Sequence, residues 1–400
     1  MSSWADLVPL GELGEVVSGS TPDTTNRDYW GGEIPWLTPA DLTGHAGIYL
    51  RGELRKITEA GYDSCSTRML PAGSIVFSSR APIGHCAVTA YPLCTNQGFK
   101  SLIPSKRLDA VYGFFALKFF TPGLVALGRG ATFLEISKEI FEGFRIPLPP
   151  LAEQKRIAGI LAKADRLRRL RRYALELSEG YVQAVFVEMF GEPVANPMGW
   201  PVAKMGELGE VQGGLQLSSR RDSLPLKAPY LRVANVYRDA LDLAEIKMIG
   251  LTRAELERVR LRCDDLLIVE GHGNIEEIGR CAVWIGGIDD CVHQNHLIRV
   301  RVDRERVDCT YLSRFINSAA GRDYFRRASH TTSGLNTIST STVKRCPVLL
   351  PPPDQQRAFA SMVRRQERLR GQQREALRQA EQLFEGLLGR AFRGELRAES

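Results

Sequence analysis

Apolar residues follow two kinds of spacing along this chain, and the two kinds alternate. Over 152–188 the apolar positions Ile157, Ile160, Ala164, Leu167, Ala174, Leu177, Tyr181 and Val185 recur at steps built from three and four residues. Over 354–390 they are Phe359, Met362, Leu369, Ala376, Ala380, Leu383 and Leu387, with Gln366 and Gln373 in the intervening seam positions. This spacing marks one face of a helix, and over such a length it predicts a coiled-coil stripe. Neither segment contains proline and glycine is rare, so each predicts a helix of about 37 residues, roughly 55 Å long. Both follow a proline stop, PLPP at 147–150 and LPPP at 350–353, which imposes extended backbone before a helix can start. Elsewhere, over 4–145 and 200–345, short β-rich runs such as GSIVFSS (73–79) and DDLLIV (264–269) are interrupted by turn residues and short helical stretches. These regions predict compact α+β domains.

The alternation arises because the chain is written twice. GELGEV at 11–16 returns at 206–211, and IGHCAV at 83–88 returns as IGRCAV at 278–283, both at an offset of 195. Cys94 and Gln97 match Cys291 and Gln294 at 197, and Pro149-Pro150 matches Pro351-Pro352 at 202, which places most of the extra length of the second copy between Cys291 and Pro351. A repeat near 200 residues duplicates a domain-sized unit, and two such units usually pack about a pseudo-twofold axis. Helices related in that way run antiparallel. The expected fold is therefore α+β, with two pseudo-twofold-related globular domains separated by two long antiparallel coiled-coil helices that act as a ruler. The expected boundaries are 1–146 and 196–346 for the globular domains and 147–195 and 347–400 for the helical regions.

Composition narrows the function. Four hundred residues with 44% hydrophobic content suffice for two or three domains with real cores. No apolar run reaches the roughly 18 residues of a membrane helix, because VYGFFALKFF (111–120) is short and contains Lys118. MSSWADLVPL lacks the basic start and apolar stretch of an export signal, which predicts a cytoplasmic protein. The eight cysteines form no CxxC pair or zinc-finger spacing and are expected to be small buried hydrophobes. A net charge of +7 favours an anionic partner such as nucleic acid. Arg166, Arg168, Arg169, Arg171 and Arg172, opposed only by Asp165, fit a solvated face, a DNA phosphate contact or an acidic partner subunit.

Catalytic motifs are missing. The sequence has no GxxxxGK[ST] loop, GxSxG elbow, HExxH, GxGxxG after a strand, NPPY-type methyltransferase motif or nuclease carboxylate pattern. Asn196-Pro197-Met198-Gly199 reads as a turn, and His293 with His296 lacks a third metal ligand. Side chains able to read base edges are better represented. TNQGFKSL (95–102) and CVHQNHLIR (291–299) set amides beside basic or aromatic groups, and Asn or Gln can bond adenine, and Arg or Lys guanine, bidentately.

These strings resemble the specificity subunits of type I restriction-modification systems, over essentially the whole chain. The resemblance is carried by ISKEIFEGFRIPLPPLAEQKRIAGIL (136–161) and its echo VKRCPVLLPPPDQQRAFA (343–360), by SGSTP (18–22), IPWLTPADL (34–42), FSSRAPIG (77–84), TNQGFKSL and GATFLEIS (130–137). In the second copy it is carried by IGRCAVWIG (278–286), CVHQNHLIRVR (291–301) and SGLNTIS (333–339), and the helix ends EMFGEP (188–193) and RAFRGEL (390–396) are also similar to the family. The resemblance implies a non-catalytic DNA reader with two target-recognition domains. It implies a bipartite, asymmetric double-stranded target whose spacer is set by the helices. It further implies two docked modification subunits, with restriction subunits able to join, and places S-adenosylmethionine, ATP and Mg in those partners, leaving no cofactor or metal in this chain.

The DNA-binding residues expected in the first domain are Ser20, Thr21, Thr38, Ser79, Arg80, Asn96, Gln97, Lys100 and Thr132. Those in the second are Arg232, Asn235, His272, Asn274, Gln294, Asn295, His296, Ser333 and Asn336. Two other functions fit parts of the pattern. A stand-alone DNA adenine methyltransferase relative would bind S-adenosylmethionine by itself, and a non-specific coiled-coil DNA-binding scaffold would bind scrambled and cognate duplexes equally.

Overall fold

A computed structural model describes residues 5–80, 82–129, 134–332 and 335–396. The chain divides into two compact units, residues 1–176 with 373–400, and residues 177–372.

In the first unit a five-stranded sheet runs in the order Gly14–Ser18, Lys100–Pro104, Ile75–Phe77, Cys86–Thr89, Tyr49–Leu50. Beside it Trp30–Leu37 pairs antiparallel with Lys56–Ile57 and parallel with Cys94–Thr95. The second unit repeats the plan. Gly209–Gly213, Leu297–Val302, Leu266–Val269 and Cys281–Val283 form one sheet, and Leu226–Leu231 pairs antiparallel with Lys247–Leu251 and parallel with Val292–His293. Each unit closes with a two-stranded clasp at its proline stop, Asp6–Pro9 against Arg145–Leu148 and Val202–Lys204 against Pro347–Leu349.

The duplicated strings owe their glycines to close approach. A Cβ on Gly14 would lie 2.2 Å from the Ile103 carbonyl oxygen, and one on Gly209 2.3 Å from that of Arg301, so GELGEV keeps the bare backbone its partner strand requires. Gly84 and Gly279, in IGHCAV and IGRCAV, combine φ of +98° and +74° with side chains 2.4 Å from a would-be Cβ, Thr121 and Phe325 respectively. Cys86 and Cys281 are buried, as are Cys94, Cys291, Cys309 and Cys346, and all eight cysteines are free.

The helices are part of the cores. In the first unit Ile157, Ala158, Leu161 and Ala164 of the helix Leu151–Leu177 pack with Phe384, Ala391 and Phe392 against Tyr112, Phe115 and Phe141. Arg168 lies 4.0 Å over the Phe384 ring, Arg172 Nη2 is 2.6 Å from Glu381 Oε1, and Arg156 donates to the Leu396 carbonyl. Residue numbers rise on one helix as they fall on the other, so this pair is antiparallel. The second unit makes the same kind of pair from Tyr181–Phe190 and the start of the C-terminal helix, with Phe186 and Phe190 both against Phe359 and the Tyr181 hydroxyl donating to Met362 Sδ.

The C-terminal helix, Pro353–Arg393, is unbroken over 41 residues, whereas the expected single helix over 152–188 is two, Leu151–Leu177 and Tyr181–Phe190. At the repeat offset of 202, Ser178 and Gly180 correspond to Ala380 and Gln382. Ser and Gly together cost about 1.5 kcal/mol of helix propensity relative to Ala, which accounts for a break in one copy and continuity in the other.

The apolar stripe also differs from the expected one. Leu167, Leu177, Tyr181, Leu369 and Leu383 are exposed. The face turned inward on the C-terminal helix carries Gln356, Phe359 and Val363 in the second unit and Ala380, Phe384 and Ala391 in the first, so Phe359 and Ala380 of the expected seam are buried while Val363 and Phe384 take the inward places expected of Met362 and Leu383. Of the basic run, Arg168 and Arg169 pair with the buried Asp165 at 2.7 and 2.8 Å and Arg172 with Glu381, while Arg166 and Arg171 are exposed.

Candidate nucleic-acid interface

In each unit the parallel pair of short strands delivers three loops to one place. Trp36 and Leu37 stand opposite Cys94 and Thr95, so the chain beyond both strands emerges together. Asn96 N then donates to the Leu37 carbonyl at 3.0 Å, Ser20 N to the Thr95 carbonyl at 3.0 Å, and Ser79 N to the Gly98 carbonyl at 2.8 Å. These bonds gather Ser20, Thr21, Thr38, Asn96, Gln97 and Arg80 into one cluster. Gly19 permits the closest approach, since a Cβ there would lie 2.1 Å from the Thr95 oxygen.

The second unit uses the same bonds: Gln294 N to the Leu231 carbonyl at 3.0 Å, Leu215 N to that of His293 at 2.9 Å, and Glu270 N to that of His296 at 2.9 Å. Arg232, Gln294, Asn295, His296 and His272 are thereby collected at the corresponding place. This correspondence corrects the alignment read from matching letters. Asn96 corresponds to Gln294 and Gln97 to Asn295, while Cys94 corresponds to Val292.

Not every expected residue presents its side chain. Ser79 is fully buried, its hydroxyl 3.2 Å from the Gly98 carbonyl. Asn235 is buried and holds its own loop, accepting from Arg232 N at 2.9 Å and donating to the carbonyls of Asp242 and Glu245. Asn336 is buried between the Thr331 hydroxyl, which donates to it at 2.9 Å, and the Gly273 carbonyl at 3.2 Å. Thr38 donates to Asp41 Oδ2 through both N and Oγ1 at 2.7 Å, and Asn96 Oδ1 accepts from Gly98 N at 2.9 Å. Asn274 Oδ1 accepts from Glu276 N, and His272 Nδ1 from Asn274 N, both at 3.0 Å. Thr132 and Ser333 lie outside the described residues.

The charged groups differ between units. Glu135 bridges Arg80 Nε at 3.0 Å and Lys100 Nζ at 3.6 Å, and burial holds the Lys100 ammonium below its usual range. Arg232 Nη2 lies 3.3 Å from Glu245 Oε2. Glu270, which sequence reading passed over, occupies the position of Ser79: Ile338 N donates to its carbonyl at 2.9 Å, as Ile136 N does to that of Ser79. Its one legible signal was a carboxylate directly after the four-residue buried strand Leu266–Val269.

Insertions fall in these loops. Phe77 pairs with Cys86 and Ile268 with Cys281, so the second copy spends four more residues on that connection, and it carries Glu270, His272 and Asn274. Much of the extra length thus lies before Cys291, masked in the sequence by a shorter connection upstream.

Among the described residues no group of three or more His, Cys, Asp or Glu is arranged to hold a metal, and no helix is long and apolar enough to cross a membrane. Clustered amides and cations on loops carried by paired strands define a polar recognition surface, present once per unit.

Residues 1–176 match the model of the type I restriction modification DNA specificity domain. The type I restriction enzyme MjaIX specificity subunit of Methanocaldococcus jannaschii is 35% identical over 252 residues, 58% of this chain and 58% of that protein. The EcoKI specificity subunit of Escherichia coli K12 is 29% identical over 354 residues, covering 80% of this chain and 73% of that one. The matched part thus spans between half and three quarters of these relatives. A solved chain of a type I restriction-modification system superposes with a TM-score of 0.59 at 18% identity over 98% of both chains. The S subunit of M. genitalium does so at 0.57 and 13%, over 97% of this chain and 96% of that one, and these two likenesses speak to the fold. Its first 176 residues thus match a type I restriction modification DNA specificity domain, and the chain is similar to type I restriction enzyme specificity subunits.

Proposed function

We propose that this chain is the DNA-specificity subunit of a type I restriction-modification complex, reading a bipartite, asymmetric duplex with one half-site per unit. The observation that carries this is the repeated cluster: the same three backbone bonds assemble loop residues in both units, while the side chains at equivalent positions differ, Gln97 and Arg80 in one and Asn295 and His296 with Arg232 in the other. Identical scaffolds with different side chains predict unlike half-sites, read through base edges and oriented by phosphate contacts. Arg80, Arg232, Gln97, Asn295 and His296 are the strongest readers, because their side chains are not buried.

The helices supply the rest of the proposal. Leu167, Leu170 and Leu177 form an exposed apolar stripe on Leu151–Leu177, suited to docking modification subunits. Methyl transfer with S-adenosylmethionine, and ATP- and Mg-dependent cleavage where restriction subunits join, would reside in those cytoplasmic partners. The C-terminal helix, which continues from one unit into the other, would set the unread spacer. Methylome sequencing of a host expressing this chain with its modification subunit tests the reading. A two-part motif with unlike halves is expected, and a continuous palindrome or no motif would overturn it.

A further inference from the structure

We propose that Glu270 is a specificity-determining residue of the second unit, its carboxylate accepting a hydrogen bond from the exocyclic amino group of a base, adenine N6 or cytosine N4. This inference rests on the DNA-reading function proposed above.

Three observations lead to it. First, Glu270 is pinned at the centre of the cluster: its N–H binds the His296 carbonyl and its own carbonyl receives Ile338 N, each at 2.9 Å, so the loops carrying Gln294–His296 and Asn336 flank it on both sides. Second, the structurally equivalent residue of the first unit, Ser79, is sealed into the core with its hydroxyl turned back on Gly98, so the fold does not require a carboxylate here. Third, Glu270 is half-buried, and no salt bridge or side-chain hydrogen bond is made to its carboxylate among the described residues. By contrast, Glu245 pairs with Arg232 and Glu277 with Arg280. Burial alone pushes the Glu270 carboxyl up to about 7, with no charged neighbour contributing.

A half-buried acceptor with no donor from the protein is open to a ligand that supplies one. On duplex DNA, phosphates repel a carboxylate, and the groups able to receive it are the exocyclic amines in the major groove. The acidic side chain also rejects bases that present only acceptors at that position, such as the guanine O6 and N7 edge, so it discriminates by repulsion as well as by attraction.

The test uses the full chain in complex with its modification subunit, first with the wild type to obtain the motif. Absence of a two-part motif at that stage would sink the reading function itself, separately from Glu270. Given the motif, duplexes are made with each amino group of the second half-site removed in turn, purine for adenine or pyrimidin-2-one for cytosine. One such duplex is expected to bind the wild-type complex about tenfold or more weakly. The E270A complex is expected to bind the intact and that altered duplex alike, and E270Q, which keeps the shape and one acceptor, to relax only the same base of the methylome motif. The inference is overturned if E270A and E270Q retain the wild-type motif and affinity. It is equally overturned if the loss follows replacement of a purine N7 by carbon, which would make Glu270 a protonated donor.

Discussion

The carboxamide oxygen of Gln154 accepts the backbone N–H of Asp109 at 2.9 Å, tying the first residue of the long helix region's buried face to the cap of another helix. Its nitrogen donates to the carbonyls of Arg107 and Pro149, both at 2.9 Å, and Asp109 in turn accepts from Val111 N and Tyr112 N at the start of Ala110–Ala126. Gln356 repeats the arrangement with Asp308 N at 2.9 Å and the carbonyls of Arg306 and Pro351, and Asp308 caps Cys309–Asn317. One buried glutamine per unit therefore joins the proline stop, a helix cap and the helix that follows. Q154A or Q356A strands backbone groups and is expected to destabilise the unit concerned by about 1–3 kcal/mol, measured by denaturant unfolding. An unchanged midpoint in both variants would show that water replaces the amide.

Asp165 predicts a larger effect on the helix pair. Its side chain is only 3% exposed and binds Arg168 at 2.7 Å and Arg169 at 2.8 Å, and Arg168 lies over Phe384. D165A leaves Arg168 half-sequestered without a counterion. Because Arg169 reaches water, we expect about 2–3 kcal/mol rather than the full cost of breaking a buried pair, with loss of helical signal from the first unit on heating. D165N, which retains acceptors, should lose less, and an equal loss in both would assign the effect to charge.

The repeat glycines give a steric prediction. G14A or G209A places a methyl carbon 2.2 or 2.3 Å from a carbonyl oxygen of the paired strand, a distance that requires the sheet to open. Each is expected to cost upwards of about 2 kcal/mol, whereas Ala at Gly159, with nothing within 4 Å, should stabilise its helix slightly. A G14A chain as stable as the wild type would mean that the strands tolerate separation.

These glycines show what the sequence could disclose. GELGEV and IGHCAV stand out because a backbone contact or a positive φ admits no side chain, so identity survives where geometry is tightest. The helices were legible from their periodicity, but Leu369 and Leu383 misplaced the seam, since an isolated stripe of leucines does not say which face meets a core and which awaits a partner. The reading clusters were legible as strings and blurred as positions. Gln97 and Gln294 matched by letter although the backbone equates Gln294 with Asn96, because a loop insertion slips the letters without moving the strand ends. Asn235 and Ser79 look like readers for the same reason that they make good loop ties: short polar side chains satisfy backbone groups as readily as bases.

Two groups in the second unit pull stability in opposite directions with pH. Burial lifts the Glu270 carboxyl from an ordinary 4.5 to about 7, so the folded chain holds a proton there that the unfolded chain has released. Stability from this group is complete below about 4.5 and is lost as pH rises to about 7. Burial, reinforced by the Arg299 guanidinium, lowers the His293 imidazole from 6.5 to about 4, so the unfolded chain takes up a proton that the folded chain refuses. Stability from His293 is complete above about 6.5 and is lost as pH falls towards 4. Between pH 4.5 and 6.5 the two slopes oppose each other and the wild-type chain should respond weakly. E270Q removes one slope and should make the second unit lose stability steadily on acidification, while H293L removes the other and should make it gain stability over the same interval. Urea midpoints measured at half-unit steps across that interval check both signs, and parallel curves for the two variants would contradict the assignment.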